Sequence, residues 1–370
     1  ALSDRLASTP PSTLGVYATL LTRPSAVRII RRAKSLGWRV IAGGPEPANC
    51  AQEYLNAGAD LVVEGEGEVT LEELLSGADP AQTPGLHLLD DKGQAAFTGP
   101  REQIADLNAQ PLPAREQIDI QQYLECWREA HGKTSLNLIT ARGCPYRCRW
   151  CSHSTFGLTH RRRSPANVAD EVACLLQHCG PDRLWFADDV FTIHRGWLDR
   201  YVEEAERRDL IVPFECITRA DRLDEHTADA VARLGAYRVW IGSESGSQRI
   251  LDRMERGVRT EQVRRAVELL RDRGIETGMF LMWGYEGEEI EDIEATVAHL
   301  EACLPDVFFT TVSYPIKGTP YFEEIEARLD ADEPWEARTD RQWRIRGRRS
   351  RRFYSYADIL LKSSVERRRM

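Results

Sequence analysis

The sequence predicts an α/β protein in two parts: a parallel sheet wound with helices on both faces, then six further strand–helix units, too few to close an eight-fold barrel. Two observations carry this. Strand-like and helix-like patterns alternate from residue 14 to about 85 and again from 135 to about 329. Glycines and polar residues gather where these strands end, which is where such sheets bind ligands. The chain has 370 residues, enough for two cores, is 42% hydrophobic and holds no apolar run of membrane-spanning length. No signal peptide is read. Nine cysteines are sparse for a secreted disulfide framework at this length, so a reducing cytoplasm is expected. The net charge of -9 argues against wholesale nucleic-acid binding. The first residue is Ala, and the chain is expected to begin inside its first domain.

Residues 14–22 read as a strand and 25–36 as a helix begun by Pro24-Ser25. Residues 38–42 are a buried strand running into Gly43-Gly44-Pro45; 48–57 are a helix closed by Gly58; 60–63 are a short strand followed by Glu64-Gly65-Glu66-Gly67-Glu68. Another helix begins at 69. The Thr19-Leu20-Leu21 element, the Gly43-Gly44 pair and the Gly58 to Glu68 run resemble the cobalamin-binding, Rossmann-like domain that precedes many radical S-adenosylmethionine (SAM) enzymes. The resemblance implies that Thr19, Gly43 and Gly44 line a slot for the cobalamin nucleotide tail. Glycine suits that place because a bulky ligand can approach the backbone; the alternative is a Gly-Gly pair that only turns the chain. The D-x-H-x-x-G element that supplies a cobalt ligand in some cobalamin proteins is absent. Base-off cobalamin without a protein ligand, or no cobalamin, both stand. Residues 86–134 read as a connector, with a hairpin around Asp91-Lys92-Gly93 and prolines 100, 111 and 113.

The second part opens with a strand at 135–140, and from its end runs Cys144-Pro-Tyr-Arg-Cys148-Arg-Trp150-Cys151. Gly143 and Pro145 keep this loop tight and non-helical. A structural zinc site normally has four closed ligands, and His153 lies too near Cys151 for the usual pairs. An electron-carrying ferredoxin normally uses four cysteines per cluster, and a fourth is not placed here. Three thiolates at C-x3-C-x2-C spacing, with an aromatic residue before the last, resemble the signature of the radical SAM superfamily. The resemblance implies that Cys144, Cys148 and Cys151 hold a 4Fe-4S cluster whose open iron takes SAM, with Trp150 beside it.

Five more strands read at 183–187, 213–218, 238–242, 276–283 and 307–314, with helices between them. Their ends carry the remaining signals. Asp188-Asp189 stands where the family has a Gly-Gly-Glu element that holds the SAM amino group; a helix N-cap is the plainer role for one of them. Arg219 is a candidate for the SAM carboxylate, or a surface cation. Ser243-Glu244-Ser245-Gly246-Ser247 resembles the G-x-E-S-G-S element, whose Glu and hydroxyls reach SAM. Gly284 closes the strand that resembles the adenine-side strand. His153 reads as a hydrogen-bonding neighbour of the cluster or as a proton donor.

The fold implied is a cobalamin-type Rossmann domain at 1–85, a connector at 86–134, a radical SAM (β/α)6 partial barrel at 135–329 and a basic, aromatic extension at 330–370, helical at 357–365. The resemblance implies a small-molecule substrate, an external electron donor such as flavodoxin or ferredoxin, and C-methylation or oxidative cyclisation. A tRNA methylthiotransferase would need a second cysteine-held cluster in the first domain, where only Cys50 is found. A non-catalytic iron–sulfur or zinc module would leave the Asp188, Glu244 and Gly284 elements unexplained.

Overall fold

The structure, a computed structural model, describes residues 2–369. Packing divides the chain into two compact units whose segments interleave: 1–104, 145–159 and 314–348 form one, and 105–144, 160–313 and 349–370 the other. The packing thus groups the chain differently from the linear boundaries expected at 85, 134 and 329. The cysteine loop and the segment after the last barrel strand both fold with the N-terminal sheet.

In the first unit, β1 (Thr13–Tyr17), β2 (Arg39–Gly43) and β3 (Leu61–Val63) run parallel, and an antiparallel hairpin of β4 (Leu86–Leu89) and β5 (Ala95–Phe97) completes a sheet in chain order. Alternating side chains separate its two faces. Val40, Ala42 and Val62 pack with Ile30 and Tyr54 of the helices Arg23–Ser35 and Ala51–Asn56. Ile41, Leu61 and Val63 pack with Leu74 of the helix Glu68–Leu75. The sheet is therefore covered on both faces, as doubly wound sheets are. β1 stops at Tyr17, short of the expected residue 22, because Thr19 to Thr22 fold into a turn: the Thr19 amide donates to Thr22 Oγ1 at 2.9 Å and the Arg23 amide to the Thr19 carbonyl at 3.0 Å.

The second unit is built on β6 (Ser135–Leu138), β7 (Arg183–Phe186), β8 (Phe214–Thr218), β9 (Ala236–Glu244), β10 (Glu276–Trp283) and β11 (Val307–Val312). All neighbours are parallel and follow chain order, with β6 and β11 at the edges. This is a (β/α)6 partial barrel. Leu138, Phe186, Cys216, Ile241 and Leu281 point outward into a core shared with Val172, Tyr201, Val231, Val267 and Leu300 of the surrounding helices. The alternate residues face the lumen. The helix Pro165–His178 starts as its sequence requires, with the Ser164 hydroxyl accepting from the Asn167 amide and Pro165 in the first turn.

The terminal helix, Arg351–Arg369, is longer than the expected 357–365 and is no separate extension. Tyr354, Ala357, Leu361 and Val365 fall at helical spacing and join the barrel core. Among the described residues no helix is long and apolar enough to cross a membrane.

Candidate active site

The cysteine loop leaves β6, and its root is fixed by Asp188. This carboxylate, 1% exposed, accepts from the Thr140 amide at 2.6 Å, the Thr140 hydroxyl at 2.5 Å and the Ala141 amide at 3.1 Å. It also pairs with Arg162 Nη2 at 3.1 Å. Arg162 stands on the far side of the loop, where 161–162 pair antiparallel with 141–142, and its guanidinium lies 3.7 Å over the Trp197 ring. Burial pulls the Arg162 guanidinium down to about 10, with Asp188 opposing the shift. A carboxylate has about four acceptor positions, and these four donors use them. The expected Asp188 contact with the SAM ammonium is therefore corrected: Asp188 clamps the loop. Nor does either acid cap the next helix, since His194 holds that position. Asp189, exposed at the same strand end, keeps the candidate role.

Cys144 is partly buried, Cys148 buried and Cys151 exposed. None of the nine cysteines is in a disulfide. The Cys151 amide donates to the Cys148 carbonyl at 3.1 Å, so these two lie on one turn, with Trp150 half-buried between them. Within the first unit, the loop is tied to the glycine-rich end of the sheet: the Ser154 hydroxyl donates to the Pro45 carbonyl at 2.6 Å, and Gln103 Nε2 to the Phe156 carbonyl at 2.7 Å. No local motif marks Ser154 for this contact. His153 Nε2 is buried without a hydrogen-bond partner, so neither expected role is distinguished.

Gly43 and Gly44 separate. Gly44 has φ +110°, and a Cβ there would lie 2.5 Å from the Ala18 carbonyl oxygen, so the fold itself requires glycine. Gly43 has no such constraint: its nearest neighbour would be Val63 Cβ at 3.7 Å. Thr19 is held by Thr22. Beyond the pair, buried Glu46 accepts from Arg23 Nε at 2.5 Å and the Tyr54 hydroxyl at 2.7 Å, and Arg23 Nη2 reaches Asp340 at 2.6 Å. Burial raises Glu46 above the usual carboxylate range, with Arg23 opposing. No local pattern could have joined Arg23 to a residue 317 positions away.

In the barrel, the end of β9 is irregular. Its register with β10 shifts between Gly242 and Glu244, the Ser245 amide closes back on the Ser243 carbonyl at 2.7 Å, and Glu244 sits at φ 60°. A non-glycine residue held there is strained, and such strain clusters at functional sites. The Glu244 carboxylate faces Arg256, Nε at 3.7 Å. Burial raises it above the usual carboxylate range, opposed by Arg256 and then Arg219. Arg219 is buried rather than a surface cation, donating to Asp221 at 2.9 Å and to the Arg256 carbonyl at 2.8 Å. The hydroxyls expected to reach SAM mostly serve the fold: Ser243 meets His299 Nε2 at 3.3 Å, Ser245 meets Thr296 at 3.2 Å and Ser247 donates to Asp292 at 2.6 Å. At Gly284 the amide is already used, donating to Glu288 at 2.6 Å, while the carbonyl accepts from Ser313 at 2.7 Å and keeps a second acceptor position.

The donor set of Cys144, Cys148 and Cys151 fits an iron–sulfur cluster by type and spacing. Among the described residues no three His, Cys, Asp or Glu side chains are already gathered as a metal site. Residues 138–300 match the Radical SAM superfamily. An uncharacterized methyltransferase of Pyrococcus horikoshii is 27% identical over 322 residues, covering 85% of this chain and 69% of that protein. The anaerobic magnesium-protoporphyrin IX monomethyl ester cyclase of Rubrivivax gelatinosus is 27% identical over 280 residues, 73% of this chain and 50% of its own. The chain thus spans half the length of that cyclase. The radical S-adenosylmethionine methyltransferase TsrM from Kitasatospora setae, solved with cobalamin and a 4Fe-4S cluster, shares the fold with a TM-score of 0.74 at 22% identity, over 90% of this chain and 69% of its own.

Proposed function

We propose that this chain, which carries a radical SAM domain over residues 138–300, is a cobalamin-dependent radical SAM enzyme that methylates an unactivated carbon of a small molecule. The observation that carries the cobalamin part is the hydrogen bond from Ser154 to Pro45, which ties the loop of Cys148 and Cys151 to the glycine turn at the end of β2. Cys144, Cys148 and Cys151 would hold the cluster; when bound, it supplies one electron for cleavage of SAM to methionine and a 5′-deoxyadenosyl radical, and cobalamin supplies a methyl group. The chain's own part is positioning. Asp188 and Arg162 hold the loop root in place. Glu244, turned out of its strand by the bulge, offers a carboxylate of the kind an ammonium needs in a partly buried cleft, and Asp189 offers a second. Arg219 and Arg256 keep Glu244 oriented. Gly43 leaves backbone open to a nucleotide tail. The electron would come from an external donor such as flavodoxin or ferredoxin, and a cytoplasmic setting suits a thiol-held cluster.

Oxidative ring closure is a second reading, favoured by the resemblance to the cyclase. Methylthiotransfer is disfavoured because Cys50, 3% exposed, has its thiol pushed up to about 12 by burial and is a poor thiolate ligand. The test is anaerobic. The protein is reconstituted with iron, sulfide and hydroxocobalamin, given dithionite and SAM, and 5′-deoxyadenosine is measured beside retained cobalamin. Deoxyadenosine that vanishes in Cys148→Ala supports radical SAM chemistry. A fully clustered protein that yields none overturns it.

A further inference from the structure

Burial alternates along the first three barrel strands, β6 to β8. Residues facing the helices are buried, while lumen residues such as Asn137, Trp185 and Ile217 keep solvent access. On the last three strands the lumen wall is aromatic, and it opens to solvent at the edge strand. Trp240 of β9 lies 4.9 Å from Phe280 of β10 at 14° between planes, and 5.3 Å from Phe309 of β11 at 8°. Phe280 and Phe309 face each other in register at 6.4 Å and 20°.

This flatness is constructed. Trp240 is in register with Gly278, where a Cβ would come within 2.3 Å of the indole, so only glycine lets the ring lie on the strand. Trp240 Nε1 donates to Glu215 Oε2 at 2.7 Å, which fixes the ring's rotation. Glu215 also accepts from the Tyr237 hydroxyl at 2.6 Å and lies 3.5 Å from Arg238, so its charge is matched within the protein. Rings that merely fill a core are buried. Here exposure rises along the wall, from 5% at Trp240 to 58% at Phe309 on the edge strand. A single exposed apolar residue means little. An exposed ring that ends a near-parallel, anchored set presents a flat face, and another flat ring is the partner that covers it while gaining a fixed orientation.

We propose that the barrel lumen takes a planar, π-conjugated small molecule as substrate, and that Phe309 stacks on it and sets this preference. The inference rests on reading the barrel as the substrate chamber of a radical SAM enzyme. The test uses the reconstituted full chain with two probes, protoporphyrin IX as a large flat ring and L-tryptophan as a small one. Binding is read by protein fluorescence and, for the porphyrin, by its absorbance shift, in the native protein and in Phe309→Leu and Phe309→Trp. At least one probe is expected to bind, with affinity falling about threefold to tenfold in Phe309→Leu and kept in Phe309→Trp, the size of one aromatic pair. Neither probe binding, or equal binding to Phe309→Leu, overturns the proposal. Deoxyadenosine formed from SAM alone is measured in the native protein; its absence there would instead sink the parent reading. Phe309 is exposed, so both variants are expected to fold, which circular dichroism checks.

Discussion

Asp188 and Glu244 are both acids at the carboxyl ends of parallel strands in one barrel, two strands apart, yet their surroundings differ. Asp188 is met by four donors and sits in ordinary backbone. Glu244 sits at φ 60° in a bulge, with Arg256 at 3.7 Å as its near cation. Position in the fold is the same in kind; saturation is not. A saturated buried acid holds structure together, while a strained and loosely matched one keeps acceptor positions open.

The largest break of this contrast is Asp188→Ala. It would leave buried Arg162 without its counter-ion, and a loss of about 3–5 kcal/mol in denaturant-unfolding stability is expected. A loss under about 1 kcal/mol would show that the clamp carries little stability. Next is pH. Burial pulls His299 from 6.5 down to about 4, so the folded protein resists its protonation. The stability this gives is present above pH 6.5 and lost as pH falls through about 4, roughly 3 kcal/mol at most. His299→Gln should flatten the stability profile across that window; an unchanged slope would assign the acid sensitivity elsewhere.

Gly44 and Gly43 differ in the same way in the other unit. Gly44→Ala forces a Cβ against the Ala18 carbonyl at φ +110°, and a loss of about 1–3 kcal/mol is expected. Gly43→Ala is expected to change stability by under about 1 kcal/mol while weakening retained cobalamin. Equal stability losses in the two variants would mean that both glycines serve only the turn. Smallest in stability, and sharpest for the chemistry, is Glu244→Gln. Because burial raises the Glu244 carboxyl, its contribution is present below pH 4.5 and lost as pH rises through the raised value. At neutral pH the amide is expected to be neutral or slightly stabilising, yet to weaken SAM binding about tenfold or more. Unchanged SAM affinity, measured calorimetrically on the clustered protein, would remove Glu244 from the site.

Much of this was legible along the chain. The six strands fell within a few residues of expectation because apolar alternation is local. The 330–370 segment was not legible as two pieces. Its buried stripe of Tyr354, Ala357, Leu361 and Val365 looks like any amphipathic helix until a core is there to receive it. Gly284 was placed correctly at a strand end, but the partners of its amide and carbonyl, Glu288 and Ser313, came from the fold.

The sequence by itself determined the donor set, three thiols at fixed spacing on a loop after a strand, since spacing and thiol chemistry are properties of a few consecutive residues. It also determined that acids and glycines would crowd the strand ends. Only the tertiary structure decided which acid is saturated by donors and which is not. The donors that saturate Asp188 come from residues 48, 47 and 26 positions away. A buried carboxylate's role depends on how many donors reach it, and chain folding alone brings such distant donors together.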